Sequence, residues 1–408
     1  MKIHDVVCYA GWGSFPNDDQ AAIRDGAARD GHFYTGRPRT PGFDRVRQPS
    51  RAVCVLLVLE NGTAVSGDGV SVQYAGAAGR DPVLDADRDV AECARELRDA
   101  FAGADVDSFV ASSARLQALG LSTAAEYGAS QALLAAAAAS SRRTIAETVA
   151  GEYDTGSALH EVPVFGQCGE DRYGGVDRMI LREVDELPHG LINNADLVGP
   201  RGDHLADYVS WIRNRIRQHR ANDDYHPVLH VDCYGTLGQV FDSLSGTAEF
   251  LVRLGELAAP FTLRIEQPVQ AASRAEQIER LAELRVCLRE LGSEVEIVAD
   301  EWCNTLEDVE AFIASDAADM LQVKLPDLGG LDSAIRALLA CTRAGVAAYC
   351  GGSCTETERS AQVAAGVAMG VGADLLLARP GMGVDEAIMV VRNEMRRTST
   401  LLASRQAS

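Results

Sequence analysis

The sequence predicts an α/β protein, with an α+β segment over residues 1–160 followed by a (β/α)8-type (modified TIM) barrel over residues 161–408. Three observations lead there. Short apolar runs alternate with amphipathic stretches through the second part of the chain, which marks βα units and a parallel sheet. Acidic residues close consecutive runs at a constant spacing. The first run is not followed by the Gly-rich turn that an open dinucleotide-binding sheet would use, and Gly381-Met382-Gly383 is late, short and lacks a third glycine.

In the first part, Arg51 to Leu59 is rich in β-branched residues, Glu60-Asn61-Gly62 signals a turn, and Thr63 to Tyr74 continues as an alternating strand. Helical patterns follow over 88–103 and 123–150, the second very rich in alanine. In the second part the runs are Val162–Gln167, Leu187–Asn193, Pro227–Asp232, Phe261–Glu266, Val295–Asp300, Met320–Lys324, Val346–Cys350 and Asp374–Ala378. Eight strands across 161–408 match the ~250 residues typical of such a barrel. Helical stretches such as Ala272–Leu291 and Ser333–Ala344 fit between them.

Composition narrows the partners. A net charge of −21 repels phosphate backbones, which argues against nucleic acid and anionic membranes. The start, MKIHDVVCYAGWG, lacks the apolar stretch of a secretory leader, and no window holds about 18 consecutive apolar residues. The ten cysteines are scattered without a CxxC pair, as expected of reduced thiols in a cytoplasmic protein. Among 38 basic residues only Lys2 and Lys324 are lysines. Arginine stays charged at working pH whereas a buried lysine can titrate, so Lys324 is a candidate acid–base group.

In barrels of this class the C-terminal ends of the strands build the active site. Strand three ends at Asp232, strand four at Glu266 and strand five at Asp300, each 34 residues after the last. Three carboxylates on adjacent strand ends call for a cation among them, and hard oxygen donors suit Mg²⁺. Strand six ends at Lys324 and strand two carries His189. These strands face each other across an eight-stranded ring, so the two bases would flank a metal-bound carboxylate. That arrangement suits abstraction of a proton next to the carboxylate through a metal-stabilised enediolate. Burial and the metal should lower the lysine pKa toward neutrality.

Around these residues stand further runs: Asp18-Asp19-Gln20, Val72-Gln73-Tyr74 with Gly79-Arg80-Asp81-Pro82, Leu187-Pro188-His189 with Leu191-Ile192-Asn193-Asn194, His230-Val231-Asp232 with Tyr234-Gly235-Thr236, Val298 to Thr305, Pro326 to Gly330, and Pro380 to Glu386. Through them the chain resembles the 3-methylaspartate ammonia-lyase family of the enolase superfamily, from Met1 to about Arg397. The resemblance implies a cytoplasmic homodimer whose N-terminal part caps the barrel. It implies a reaction that eliminates ammonia from (2S,3S)-3-methylaspartate to give mesaconate, within glutamate degradation.

The resemblance also implies roles. Lys324 would be the base for the C3 proton, with His189 on the opposite face and touching the metal-bound carboxylate. Mg²⁺ would sit on Asp232, Glu266 and Asp300, and K⁺ would act as a monovalent activator. Gln73, Gln167 and Gln322 would hold the amino group and carboxylates of the amino diacid, Ser353 and Cys354 its C1 carboxylate, and Leu377 would lie beside its methyl and amino groups. Three positions depart from the family pattern. Ser353 stands for threonine and Cys168 for serine, while Leu325 follows the lysine where threonine is expected, which bears on rate and stereochemical preference. A dehydratase or racemase/epimerase of the same superfamily is the alternative; it would share the metal and the bases but not the amide-lined amine pocket.

Overall fold

The computed structural model describes residues 1–379, 381 and 383–406, so Pro380 and Met382 of the late glycine-containing run lie outside the described residues. The chain opens on a three-stranded antiparallel sheet, with Arg51–Leu59 between Ile3–Trp12 and Ala64–Val70. The turn at 60–63 is where the sequence places it. Gly62 sits at φ +82°, and the Asn61 side chain accepts the Thr63 N–H at 2.9 Å.

The alanine-rich stretch forms two helices rather than one, Thr123–Ser141 and Ile145–Tyr153. Arg142 adopts a left-handed conformation that closes the first helix, and Thr144 with Glu147 forms a capping box that starts the second. The alanines have a packing reason. The first helix presses so closely on the sheet that a Cβ on Gly69 would come within 1.7 Å of the Ala124 carbonyl oxygen, and one on Gly128 within 2.7 Å of the Gly69 nitrogen. Larger side chains at that contact would force the layers apart.

The second part closes into a barrel of eight parallel strands in sequence order, the first pairing with the eighth. They are Val164–Phe165, Glu186–Leu191, Val228–Asp232, Leu263–Glu266, Glu296–Ala299, Met320–Lys324, Ala347–Gly351 and Leu375–Leu377. All eight expected runs are strands, mostly trimmed by a residue or more at their ends. The period of two sorts their side chains. Leu229, Val231, Leu263 and Ile265 join the large core beneath the helices. Phe165, Val298, Met320, Tyr349, Leu375 and Leu377 form a separate apolar cluster, as inward-facing residues of a filled barrel do. Strands two and six lie four apart in the ring, as expected. Among the described residues no helix is long and apolar enough to cross a membrane.

The N-terminal segments reach the catalytic end of the barrel through polar contacts. The Gln73 N–H donates to Ser353 Oγ at 3.0 Å, Asn304 Nδ2 donates to the Ala78 carbonyl at 2.7 Å, and the Tyr127 hydroxyl donates to Glu356 Oε1 at 2.7 Å. Glu356 also accepts the Ser353 N–H at 2.8 Å and faces Arg379 Nη1 at 3.4 Å, and both charged side chains are fully buried. Removing one partner of such a pair strands the other charge. Arg379→Met is therefore expected to lower stability by about 3–5 kcal/mol, read as the shift in urea unfolding; an unchanged midpoint would show that Glu356 does not depend on Arg379.

Candidate active site

Asp232 and Glu266 end adjacent strands as direct register partners, and Asp300 follows strand five by one residue. All three are buried. His189, on strand two, places Nε2 3.7 Å from Asp232 Oδ2 and 3.8 Å from Glu266 Oε2. One ligand atom from each of His189, Asp232 and Glu266 lies within 4.8 Å of the others. Asp300 faces the other way. Its Oδ1 and Oδ2 lie 2.8 and 2.9 Å from Lys324 Nζ, and Oδ1 also accepts from Arg80 Nη2 at 3.2 Å. The three carboxylates thus stand at adjacent strand ends, with His189 Nε2 beside Asp232 and Glu266 and two cations, Lys324 and Arg80, in contact with Asp300.

The electrostatics follow from this division. Burial, then the charges of Glu266, Glu301 and Asp300, pushes the Asp232 carboxyl well above its ordinary range. Burial opposes ionisation of Glu266 too, but His230, His189 and Lys324 outweigh it and bring its pKa down to about 2. Glu301 is pushed up to about 7 by burial and by Asp300, against Arg80 and Lys324. Burial holds His189 below its ordinary value. Around Lys324 the protein's own charges act in both directions. Burial and the Arg80 guanidinium push it down, but Asp300, Asp327 and Glu301 outweigh them and hold it above the usual lysine value. The lysine faces carboxylates from neighbouring loops that a reading of strand ends alone leaves out.

Gln73, Gln167, Gln322, Ser353 and Cys354 line one cavity with His189, Asp232, Asp300 and Lys324. Gln73 Nε2 donates to Asp18 Oδ2 at 3.1 Å, and its Oε1 accepts from the Cys354 thiol at 3.3 Å. Gln322 Nε2 donates to Glu266 Oε1 at 2.5 Å. The buried Oε1 atoms of Gln167 and Gln322, and both ring nitrogens of His189, have no hydrogen-bond partner among the described residues. Buried polar atoms are normally paired, so these belong to a site built for a polar ligand. Leu377 packs in the apolar cluster with Phe165 and Tyr349. Among the described residues the Asp232 carboxylate accepts only the Tyr234 N–H, at 3.1 Å. Buried, under-paired oxygen donors of this kind fit a divalent hard cation such as Mg²⁺.

Sequence reasoning passed over several residues that shape the site. Arg80 links Asp300 to Asp327 (Nε to Oδ2, 2.7 Å), and its signal was the run Gly79–Pro82. Glu301 follows Asp300 directly. His230 stands two residues before Asp232 and so shares its face, a placement the period of two makes readable. Tyr349 donates to both oxygens of Glu266 at 2.9 Å, which no local pattern announces.

Two family models match the chain: methylaspartate ammonia-lyase N-terminus over residues 1–154 and methylaspartate ammonia-lyase C-terminus over residues 157–404. The methylaspartate ammonia-lyase of Clostridium tetanomorphum is 44% identical over 413 residues, covering all of both chains. Among solved structures, that of Citrobacter amalonaticus methylaspartate ammonia lyase containing (2S,3S)-3-methylaspartic acid superposes with a TM-score of 0.96 at 44% identity, over 99% of this chain and 100% of the other. The Mg complex of β-methylaspartase from Clostridium tetanomorphum gives 0.92 at 44% identity, again over 99% and 100%. With both halves of the chain matched and nearly half of its residues identical to those of full-length relatives, this chain belongs to the methylaspartate ammonia-lyase family.

Proposed function

We propose that the protein is a Mg²⁺-dependent carbon–nitrogen lyase that eliminates ammonia reversibly from (2S,3S)-3-methylaspartate to give mesaconate. The observation that carries this reading is the pair of unpartnered amide oxygens, on Gln167 and Gln322, in a cavity that also holds Lys324 and His189. Acceptors without donors suit an ammonium group, and the family relationship supplies the substrate class. Asp232, Glu266 and Asp300 would hold the metal, which when bound would supply positive charge to stabilise the negative charge developing on the substrate carboxylate. Burial and the Arg80 guanidinium favour the neutral amine of Lys324.

Lys324 takes the C3 proton, the C–H electron pair becomes the C2–C3 double bond, and the C2–N bond breaks to release the amine. His189 serves the opposite face and contacts the metal-side carboxylate. Gln73, Gln167 and Gln322 orient the amino group and carboxylates, Ser353 and Cys354 take the C1 carboxylate, and Leu377 bounds the methyl side from the apolar layer. The same reading makes residues 1–160 a cap over a catalytic barrel of residues 161–408, in line with family models that meet between residues 154 and 157. It includes K⁺ activation, a cytoplasmic homodimer and a place in glutamate degradation, on family membership.

The test mixes the protein with Mg²⁺, K⁺ and (2S,3S)-3-methylaspartate and follows mesaconate by its ultraviolet absorbance together with released ammonia. Both should appear in equal amounts. Alanine and valine should be turned over poorly, because each leaves a carboxylate site unfilled and unpaired buried polar groups cost about 1–3 kcal/mol each. Epimerisation or loss of water without ammonia would overturn the lyase reading and favour its superfamily alternative.

A further inference from the structure

Below the cavity, inside the barrel, a buried histidine touches no substrate position yet contacts Glu266. His230 is fully buried, with its ring stacked on Phe165 at 4.3 Å between centroids and 18° between planes, and met edge-on by Tyr349 at 5.8 Å. Aromatic neighbours on a face and an edge leave the ring little room to turn. Nδ1 lies 2.5 Å from Glu186 Oε1, and Nε2 lies 2.8 Å from Glu266 Oε2. Glu186 Oε2 in turn accepts from Arg264 Nη1 at 2.6 Å, and Arg264 Nε donates to Glu296 Oε2 at 2.6 Å. Exposure rises along this line, from 0% at the His230 side chain to 17% at Arg264 and 37% at Glu296. A row of polar side chains in contact, Glu296, Arg264, Glu186, His230 and Glu266, therefore runs from the solvent edge at the starts of strands two and five to the carboxylate at the end of strand four.

We propose that His230 is a positioning residue for the metal site: held by Phe165 and Glu186, it fixes the Glu266 carboxylate in the orientation that presents it to Mg²⁺. The inference rests on the reading of Glu266 as a metal ligand. Glu266 is held from several sides. Gln322 and Tyr349 donate to Oε1, Tyr349 also donates to Oε2, and His230 Nε2 abuts Oε2 at 2.8 Å without the alignment of a hydrogen bond. Gln322 and Tyr349 end in groups that can rotate, whereas the His230 ring is clamped by stacking and by the Glu186–Arg264–Glu296 row. Partners of this kind behind a ligand commonly govern metal affinity. A buried ion pair is otherwise weak evidence for stability, so a purely structural role and a positioning role separate in measurement.

The experiment is calorimetric titration of Mg²⁺ into the metal-stripped full chain, alongside thermal unfolding. His230→Gln, which can address one carboxylate but not both, is expected to weaken Mg²⁺ binding by about 10–100-fold. Glu186→Gln does not touch Glu266 and should weaken binding in the same direction by less. Leu375→Ala, in the interior apolar cluster, removes no group that bonds a carboxylate and should lower the melting temperature and leave Mg²⁺ affinity unchanged. Unchanged Mg²⁺ affinity in folded His230→Gln and Glu186→Gln would overturn the inference while leaving the metal site standing. An equal loss in Leu375→Ala would overturn it as well, since any interior damage would then suffice. If His230→Gln does not fold by circular dichroism, Glu186→Gln decides. Absence of Mg²⁺ binding in the unaltered protein would overturn the metal reading itself, and this inference with it.

Discussion

Replacing Lys324 with arginine should lower kcat for ammonia release from (2S,3S)-3-methylaspartate by about 10²–10⁴-fold while the protein stays folded. The lysine amine contacts Asp300 at 2.8 Å, and its side chain is 13% exposed. Arginine keeps the positive charge and the ion pair, but a guanidinium does not give up its proton at working pH and so cannot accept another. The substitution thus removes basicity and leaves electrostatics largely in place. Near-normal turnover would make Lys324 an electrostatic residue and refute its role as base. Lys324→Ala extends the test to stereochemistry. Lys324 and His189 stand on opposite strands, one against Asp300 and the other beside Asp232 and Glu266. The alanine variant should lose the (2S,3S) substrate yet keep some reaction with the (2S,3R) epimer, and His189→Ala should show the reverse bias with a smaller loss on (2S,3S). Equal losses on both epimers in both variants would refute the two-faced arrangement.

Chelation of the metal is expected to abolish activity, and added Mg²⁺ to restore it. An enediolate carries negative charge, and the buried cations at the site, Arg80 and Lys324, are already paired with Asp300 and Asp327. Asp232→Asn tests the same point within the chain. Asp232 is buried and its carboxylate accepts a single backbone N–H among the described residues, so the amide fits the space but withdraws one charge from the metal. Metal stabilisation is worth several kcal/mol in such reactions, and at about 1.4 kcal/mol per decade the loss in kcat should reach about 10²-fold or more. Calorimetry should show weaker Mg²⁺ binding in the same variant. Full activity in excess chelator would refute the metal-dependent mechanism.

Much of this protein was legible from its sequence, because two of its regularities are local. The period of two and the lengths of the apolar runs identify eight barrel strands, and the run ends bring Asp232, Glu266, Asp300 and Lys324 to one rim with His189 opposite Lys324. The break between the helices at Ser141 and Ile145 was also local, written in Thr144 and Glu147, but alanine's helix propensity masked it. What only the tertiary structure decided is how the charges pair. Arg80 reaches Asp300 across 220 positions of sequence, so Asp300 meets two cations at once, and Lys324 faces the charges of Asp300, Asp327 and Glu301 together. Likewise the depth of Leu377 and the row from Glu296 through His230 to Glu266 depend on which side chains the closed ring brings face to face. Strand identity is set by residues close in sequence, whereas the orientation and ionisation of a buried group are set by whatever charges lie within a few ångströms of it in space, and those come from distant parts of the chain.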